Sequence, residues 1–146
     1  MTEKINDDVM VINAEGKILG RLASYIAQEV RNGETVRVVN SGEAVISGKR
    51  EKIYADYRQK YERGRRDTGP YFPKRSDKIL KRTVRNMLPH EKTEGRDQLA
   101  MVRTYIGVPN EFEGKVEEVD VKEGDDLKNR NYVKLGDVAK FIGGDQ

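Results

Sequence analysis

Arg65, Arg66, Lys74 and Arg75 bracket Tyr71 and Phe72 in the stretch GRRDTGPYFPKR, residues 64–75. Planar guanidinium forks grip two phosphate oxygens at once, and aromatic faces stack on bases and sugars. That is the chemistry of holding a polyanion, not of breaking a bond. Pro70 and Pro73 stiffen the stretch, which is too polar to bury, so it reads as an extended basic recognition loop. Downstream, Ile79, Leu80, Thr83, Val84, Met87 and Leu88 recur at helical offsets and form one apolar stripe, leaving Lys81, Arg82, Arg85 and Asn86 on the other face. Ser76 or Asp77 is placed to cap this helix and Pro89 to stop it. His90, Lys92 and Arg96 carry the basic character onward. A Lys-rich helix is most often a solvated face balanced by acids at i,i+4. Between Arg63 and Arg85, however, only Asp67 and Asp77 oppose the bases, and part of the charge lies in the loop, where helical pairing cannot account for it.

The charge is unevenly laid out. The formal net charge is only +3, but Lys49 to Lys92 holds fifteen Lys or Arg against six Asp or Glu, a net +9. Glu111 to Gln146 holds six against ten, a net −4. One part of the chain attracts polyanions and the other does not. With a mean hydropathy of -0.82 the core must be lean, and 146 residues suffice for one compact domain. We therefore expect a single nucleic-acid-binding domain over 1–146, with an irregular acidic arm at about 109–131. Cysteine is absent, which excludes disulfides and thiolate metal sites. The leader MTEKINDD is polar and acidic, unlike a signal peptide, and no apolar run approaches membrane-spanning length. The expectation is a soluble cytoplasmic protein without a membrane partner.

Catalytic readings find little support. His90 is the only histidine, with no cysteine to serve, and assembles no triad; it reads as a helix-ending residue that contacts a phosphate or a carbonyl. The turn from Gly16 to Gly20 could hold an anion at a helix N-terminus, yet it lacks both GxGxxG and the Lys-Ser or Lys-Thr ending of a P-loop. It sustains only the alternative of a small α/β nucleotide-binding enzyme. Lys17 and Arg21 lie beside that turn, where a nucleic-acid phosphate could sit. No metal and no cofactor is expected.

The elements that must position these residues begin with Val9–Ile12, a continuous apolar run typical of a strand buried on both faces. Leu19, Leu22, Ala23, Ile26, Ala27 and Val30 then share one helical face, closed by Asn32 and Gly33. Residues 35–39, TVRVV, form a second buried strand. The opening is thus β-α-β and the class α/β. A turn at Asn40-Ser41-Gly42, a short strand at Ala44–Ile46 and a charged helix over Lys49–Glu62 follow, the last with Ile53, Tyr54, Tyr57 and Tyr61 inward. From Gly95 the spacing of Leu99, Val102 and Ile106 predicts a helix that Gly107 closes. Tyr132, Val133 and Leu135 look strand-like, and Gly136–Ile142 predicts a final helix.

Four blocks, VINAEGKILGRLAS, VVNSGEAVISGKR, GPYFPKRSDKILKRTVRNMLPHEKTEGR and YIGVP, resemble the ribosomal protein L13 family of the large subunit in its archaeal and eukaryotic form. They stand in that family's order and spacing over most of the chain. The resemblance implies a small, mostly parallel sheet flanked by helices in a three-layer α/β/α arrangement. It also implies binding to large-subunit ribosomal RNA, a part in subunit assembly beside neighbouring ribosomal proteins, and no catalytic activity or small-molecule substrate. The chain departs from the family at Asn86, where glycine is usual, and at Glu91 and Glu94, where bases are usual. The expected contacts of this block therefore fall on Arg82, Arg85, Lys92 and Arg96, and Lys17, Arg21, Lys49 and Arg50 would extend the same face.

Overall fold

The computed structural model describes residues 9–62, 73–117, 119, 121–124 and 131–143. Strand β1 (Val9–Asn13) leads through a turn into helix α1 (Leu19–Arg31), and β2 (Thr35–Val39) returns to pair with β1 in parallel, Val9 beside Thr35 and Asn13 beside Val39. The six residues buried on α1 are Leu19, Leu22, Ala23, Ile26, Ala27 and Val30, the full predicted face. Asn32 and Gly33 end the helix, with the Gly33 N–H donating to Val30 O at 3.1 Å and Gly33 in the left-handed region, φ 93°. The C-terminal ends of β1 and β2 are pinned together, with Asn40 Nδ2 donating to Asn13 Oδ1 at 3.0 Å.

After a 3-10 turn (Ser41–Glu43), β3 (Val45–Ser47) leaves the main sheet and pairs antiparallel with β5 (Tyr132–Lys134), one residue later than expected. Helix α2 (Arg50–Glu62) puts Ile53 inward with Tyr54 and Tyr57 at its margin; the predicted inward side chain of Tyr61 lies outside the described residues. Helix α3 (Ser76–Arg85) follows the region of the predicted basic loop, of which residues 63–72, including Arg65, Arg66, Tyr71 and Phe72, also lie outside the description.

Helix α4 (Thr93–Ala100) is where the sequence reading fails. It stops at Ala100, and Val102–Thr104 is strand β4, the third strand of the parallel sheet in the order β1-β2-β4. Val102 and Thr104 face inward and are buried, whereas Arg103 between them is exposed, an alternation that a helix could not give. Ile106, expected inward, is 39% exposed. Helix α5 (Leu135–Phe141) closes the fold one residue earlier than predicted.

The layers are unequal. Helices α1 and α3 cover one face of the parallel sheet, joined by α5, and bury Ile12, Val36, Val38 and Val102 with Leu22, Ile26, Ile79, Leu80 and Val84. The opposite face carries Val11 and Val39, closed by Phe112 of a second 3-10 turn (Asn110–Phe112) with Val116 and Tyr105. A single turn and the chain after it thus supply the other outer layer. The acidic arm is bound to the body where it is described: Glu117 bridges to Ile12, and Glu123 to Lys17. No helix among the described residues is long and apolar enough to cross a membrane.

Candidate nucleic-acid interface

Helix α3 has a buried face, Ile79, Leu80 and Val84, continued by Leu88 through hydrogen-bonded turns from Met87 to Val84 O at 2.9 Å and from Leu88 to Arg85 O at 3.1 Å. Away from it run Lys78, Lys81, Arg82 and Arg85 at i, i+3, i+4 and i+7, a single cationic stripe. Lys78 is exposed and the other three are partly buried. The expectation that Ser76 or Asp77 satisfies a free N–H at the helix start holds for Asp77, whose Oδ1 accepts from the Lys78 N–H at 2.9 Å. The N-cap position is Arg75, without a side-chain cap, and Ser76 and Asp77 lie buried in the first turn. Thr104 Oγ1 donates to Asp77 O at 2.9 Å and ties that turn to β4. The same carboxylate also holds Arg75, with Nε to Oδ1 at 3.3 Å, while most of the Arg75 side chain stays in solvent.

The electrostatics record the crowding. Burial, then the charges of Lys78, Arg103 and Arg37, push the Lys81 amine below its ordinary range. Burial, then Arg85, does the same to Arg82. Arg37 is lowered first by burial and further by Arg103, with Tyr105 and Glu111 acting in opposition. Three of these cations, Arg37, Lys78 and Arg103, escaped the sequence-based site. Lys78 was legible in the spacing with Lys81, Arg82 and Arg85. Arg37 reads from sequence as a strand residue only, and the helical spacing around Arg103 puts it in the wrong kind of element.

Other predicted residues are dispersed. Lys74 is exposed just before Arg75, His90 and Lys92 sit on the turn after α3, and Arg96 lies in α4, from where its Nη2 donates back to Glu91 O at 3.1 Å. Arg21 is exposed on α1. Lys49 and Arg50 stand at the start of α2, which packs on β5 and α5; the Arg50 guanidinium lies 5.1 Å from the Tyr54 ring centre. Lys17 is the exception to the predicted surface. It is 4% exposed, and its Nζ donates to Glu123 Oε2 at 2.5 Å, so its charge is used inside the fold.

That pair also bears on the nucleotide alternative. Around the Gly16 turn the Gly16 N–H donates to Glu43 O at 2.9 Å, Lys17 N–H to Ala14 O at 3.0 Å and Ile18 N–H to Lys122 O at 3.0 Å. The donors a phosphate would need are taken by carbonyls, and a carboxylate stands over the turn. The described residues contain no group of three or more His, Asp or Glu placed to hold a metal.

A small parallel sheet with helices on one face and a cationic stripe on α3 defines a basic α/β protein. Comparison with known sequences sharpens this. The family model described as Ribosomal protein L13 matches residues 7–111, and the chain belongs to that family. It is 42% identical over 143 residues to the large ribosomal subunit protein uL13 of Archaeoglobus fulgidus, covering 95% of this chain and 90% of the relative. It is 44% identical over 136 residues to that of Methanosarcina barkeri, with 91% and 96% covered, and 41% identical over 137 residues to that of Haloarcula marismortui, with 94% and 92% covered.

Proposed function

We infer that the chain is a structural constituent of the large ribosomal subunit in the cytoplasm, binding large-subunit ribosomal RNA and supporting subunit assembly beside neighbouring ribosomal proteins. Family membership over nearly the whole length carries this reading. The surface agrees with it: phosphate contacts position a protein on folded RNA without reading sequence, and a stripe of half-desolvated cations is suited to that task. It acts as a scaffold and not as an enzyme. Within it, Lys74, Arg75, Lys81, Arg82 and Arg85 form the main contact, His90, Lys92 and Arg96 extend it, and Arg65, Arg66, Tyr71 and Phe72 of the loop complete it by phosphate gripping and stacking. Arg21, Lys49 and Arg50 add peripheral contacts. Lys17 contributes by fixing the turn beside Arg21. The chain works as one domain whose acidic arm faces protein neighbours in place of RNA.

The test is binding of the purified protein to large-subunit ribosomal RNA across a salt series with bulk transfer RNA as competitor. Specific binding survives the competitor, and log affinity falls with log salt by about 0.7 to 0.9 per phosphate contact. Replacing Arg65, Arg66, Lys74 and Arg75 together by Ala weakens binding while the melting temperature holds. Loss of all binding to the competitor would return the basic surface to a merely solvated face.

A further inference from the structure

The parallel sheet ends in an edge that its own packing does not explain. The register places Arg37 of β2 directly beside Arg103 of β4. Strand neighbours lie about 4.8 Å apart, and their side chains leave on the same face. Because Val36, Val38, Val102 and Thr104 are buried beneath the helices, both arginines emerge on the other face. Like charges side by side on adjacent strands are destabilising, so this pair costs the fold stability. Beyond β4 no further strand is paired among the described residues. Helix α3 packs along β4 and adds Lys78 and Lys81 to the same neighbourhood, as the pressure of Lys78, Arg103 and Arg37 on Lys81 records.

Compensation within the chain is slight. Arg37 Nη1 rests on the carbonyls of Val36 and Met101, both at 3.2 Å, and Glu111 is the acid that acts on it. The nearby Asp77 is engaged by Arg75. No carboxylate is ion-paired to Lys78, Lys81 or Arg103 among the described residues. Beside this cluster a groove of about 420 Å³ opens between Arg75 and Lys78 on one wall and the chain from Thr104 to Pro109 on the other. It offers space at the edge with cations on its rim.

We propose that this sheet edge is a second RNA contact, in which Arg37 and Arg103 from the strands and Lys78 and Lys81 from α3 hold the phosphodiester backbone of one RNA strand running along β4. The contact rests on the ribosomal RNA reading above and adds to it a strand-borne site. An RNA backbone supplies the missing negative charge at several points, where one acidic side chain would supply it at one. Guanidinium forks are matched to phosphate oxygens, and the rigid register fixes the spacing of Arg37 and Arg103. Binding here relieves the repulsion that the free protein carries.

The deciding experiment compares Arg37→Gln/Arg103→Gln, the two strand arginines, with a control of equal charge change at exposed positions, Lys122→Gln/Lys140→Gln. Each protein is titrated with large-subunit ribosomal RNA across salt, with transfer RNA as competitor. The edge variant is expected to bind at least tenfold more weakly at 0.1 M salt, with a salt slope shallower by about 1.5 for two lost phosphate contacts. It should melt no lower than wild type. The control should keep the wild-type slope. An unchanged slope in the edge variant, or an equal loss in the control, overturns the proposal. If the edge variant melts early, the single Arg103→Gln protein at an exposed position decides: a slope shallower by about 0.7 to 0.9 supports the edge contact, and an unchanged slope overturns it. Wild-type protein that surrenders the RNA to competitor sinks the ribosomal reading as well, whereas specific wild-type binding with an indifferent edge variant removes the edge contact alone.

Discussion

Gly95 opens into the turn that Pro89 begins, and a Cβ built on it would run into the Pro89 carbonyl and the His90 nitrogen. Neither is the movable end of a side chain. The close approach of α4 to this turn therefore requires glycine, and with it the placement of His90, Lys92 and Arg96 relative to α3. Gly95→Ala should cost about 1–3 kcal/mol, the range for overpacking against backbone. Gly20→Ala is the matched control: a Cβ there meets nothing within 4 Å, and in α1 it should be neutral or stabilise by up to about 1 kcal/mol. Urea denaturation of the two variants checks both, and equal stability would mean that the turn yields freely. Sequence alone marks both glycines as punctuation and cannot rank them, because the difference lies in what the fold packs opposite. Lys17 teaches the same lesson about charge. Its neighbours in sequence make it look like a phosphate ligand, but its partner Glu123 lies 106 residues away.

At the level of elements, what was legible is what repeats. Helix α1 gives almost four turns of one apolar face, so all six buried residues are readable from the 3.6-residue period. Strand β4 has three residues, too few for an alternation to register. Leu99, Val102 and Ile106 happen to fall at helical spacing, and its pairing with Val36 to Val38 is non-local. The error hid Arg103 and, with it, the meaning of Arg37. The stripe on α3 was legible for the opposite reason, since its period coincides with that of the core face beneath it. Its cost to the fold is testable through Lys81. Burial and the neighbouring cations lower the Lys81 pKa in the folded state, so the charged form is penalised there relative to the unfolded chain. As pH rises toward 10.5, the folded chain gives up the proton first and the penalty fades. Lys81→Met should thus be more stable than wild type at pH 7 by about 0.5 kcal/mol, with the gap closing near pH 10. The raised pKa values of Tyr25 and Tyr57 affect both proteins alike and cancel in the difference. A gap that stays constant with pH would assign the gain to packing and not to charge.

For the molecule as a whole, the layout of charge makes folding and binding respond to salt with opposite signs. Residues 49–92 carry a net +9, and where α3 meets the sheet edge the cations press on one another with few acids between them. Against this stand a few attractive pairs, notably Lys17–Glu123 and Lys134–Glu43. The second of these is solvent-exposed on both sides and contributes little, and the first is partly buried and so is poorly screened. Salt therefore weakens repulsion more than attraction, as the screening length falls from about 30 Å at 0.01 M to about 10 Å at 0.1 M. The free protein should melt higher in 0.1 M than in 0.01 M NaCl, by about 2–4 °C if the relief is near 1 kcal/mol for a chain of this size. RNA affinity over the same range should drop steeply. Calorimetry of the free protein beside the RNA titration reads both. A melting temperature that falls with salt would mean that the internal ion pairs outweigh the cationic excess, and the argument that RNA relieves a stored repulsion would fail with it.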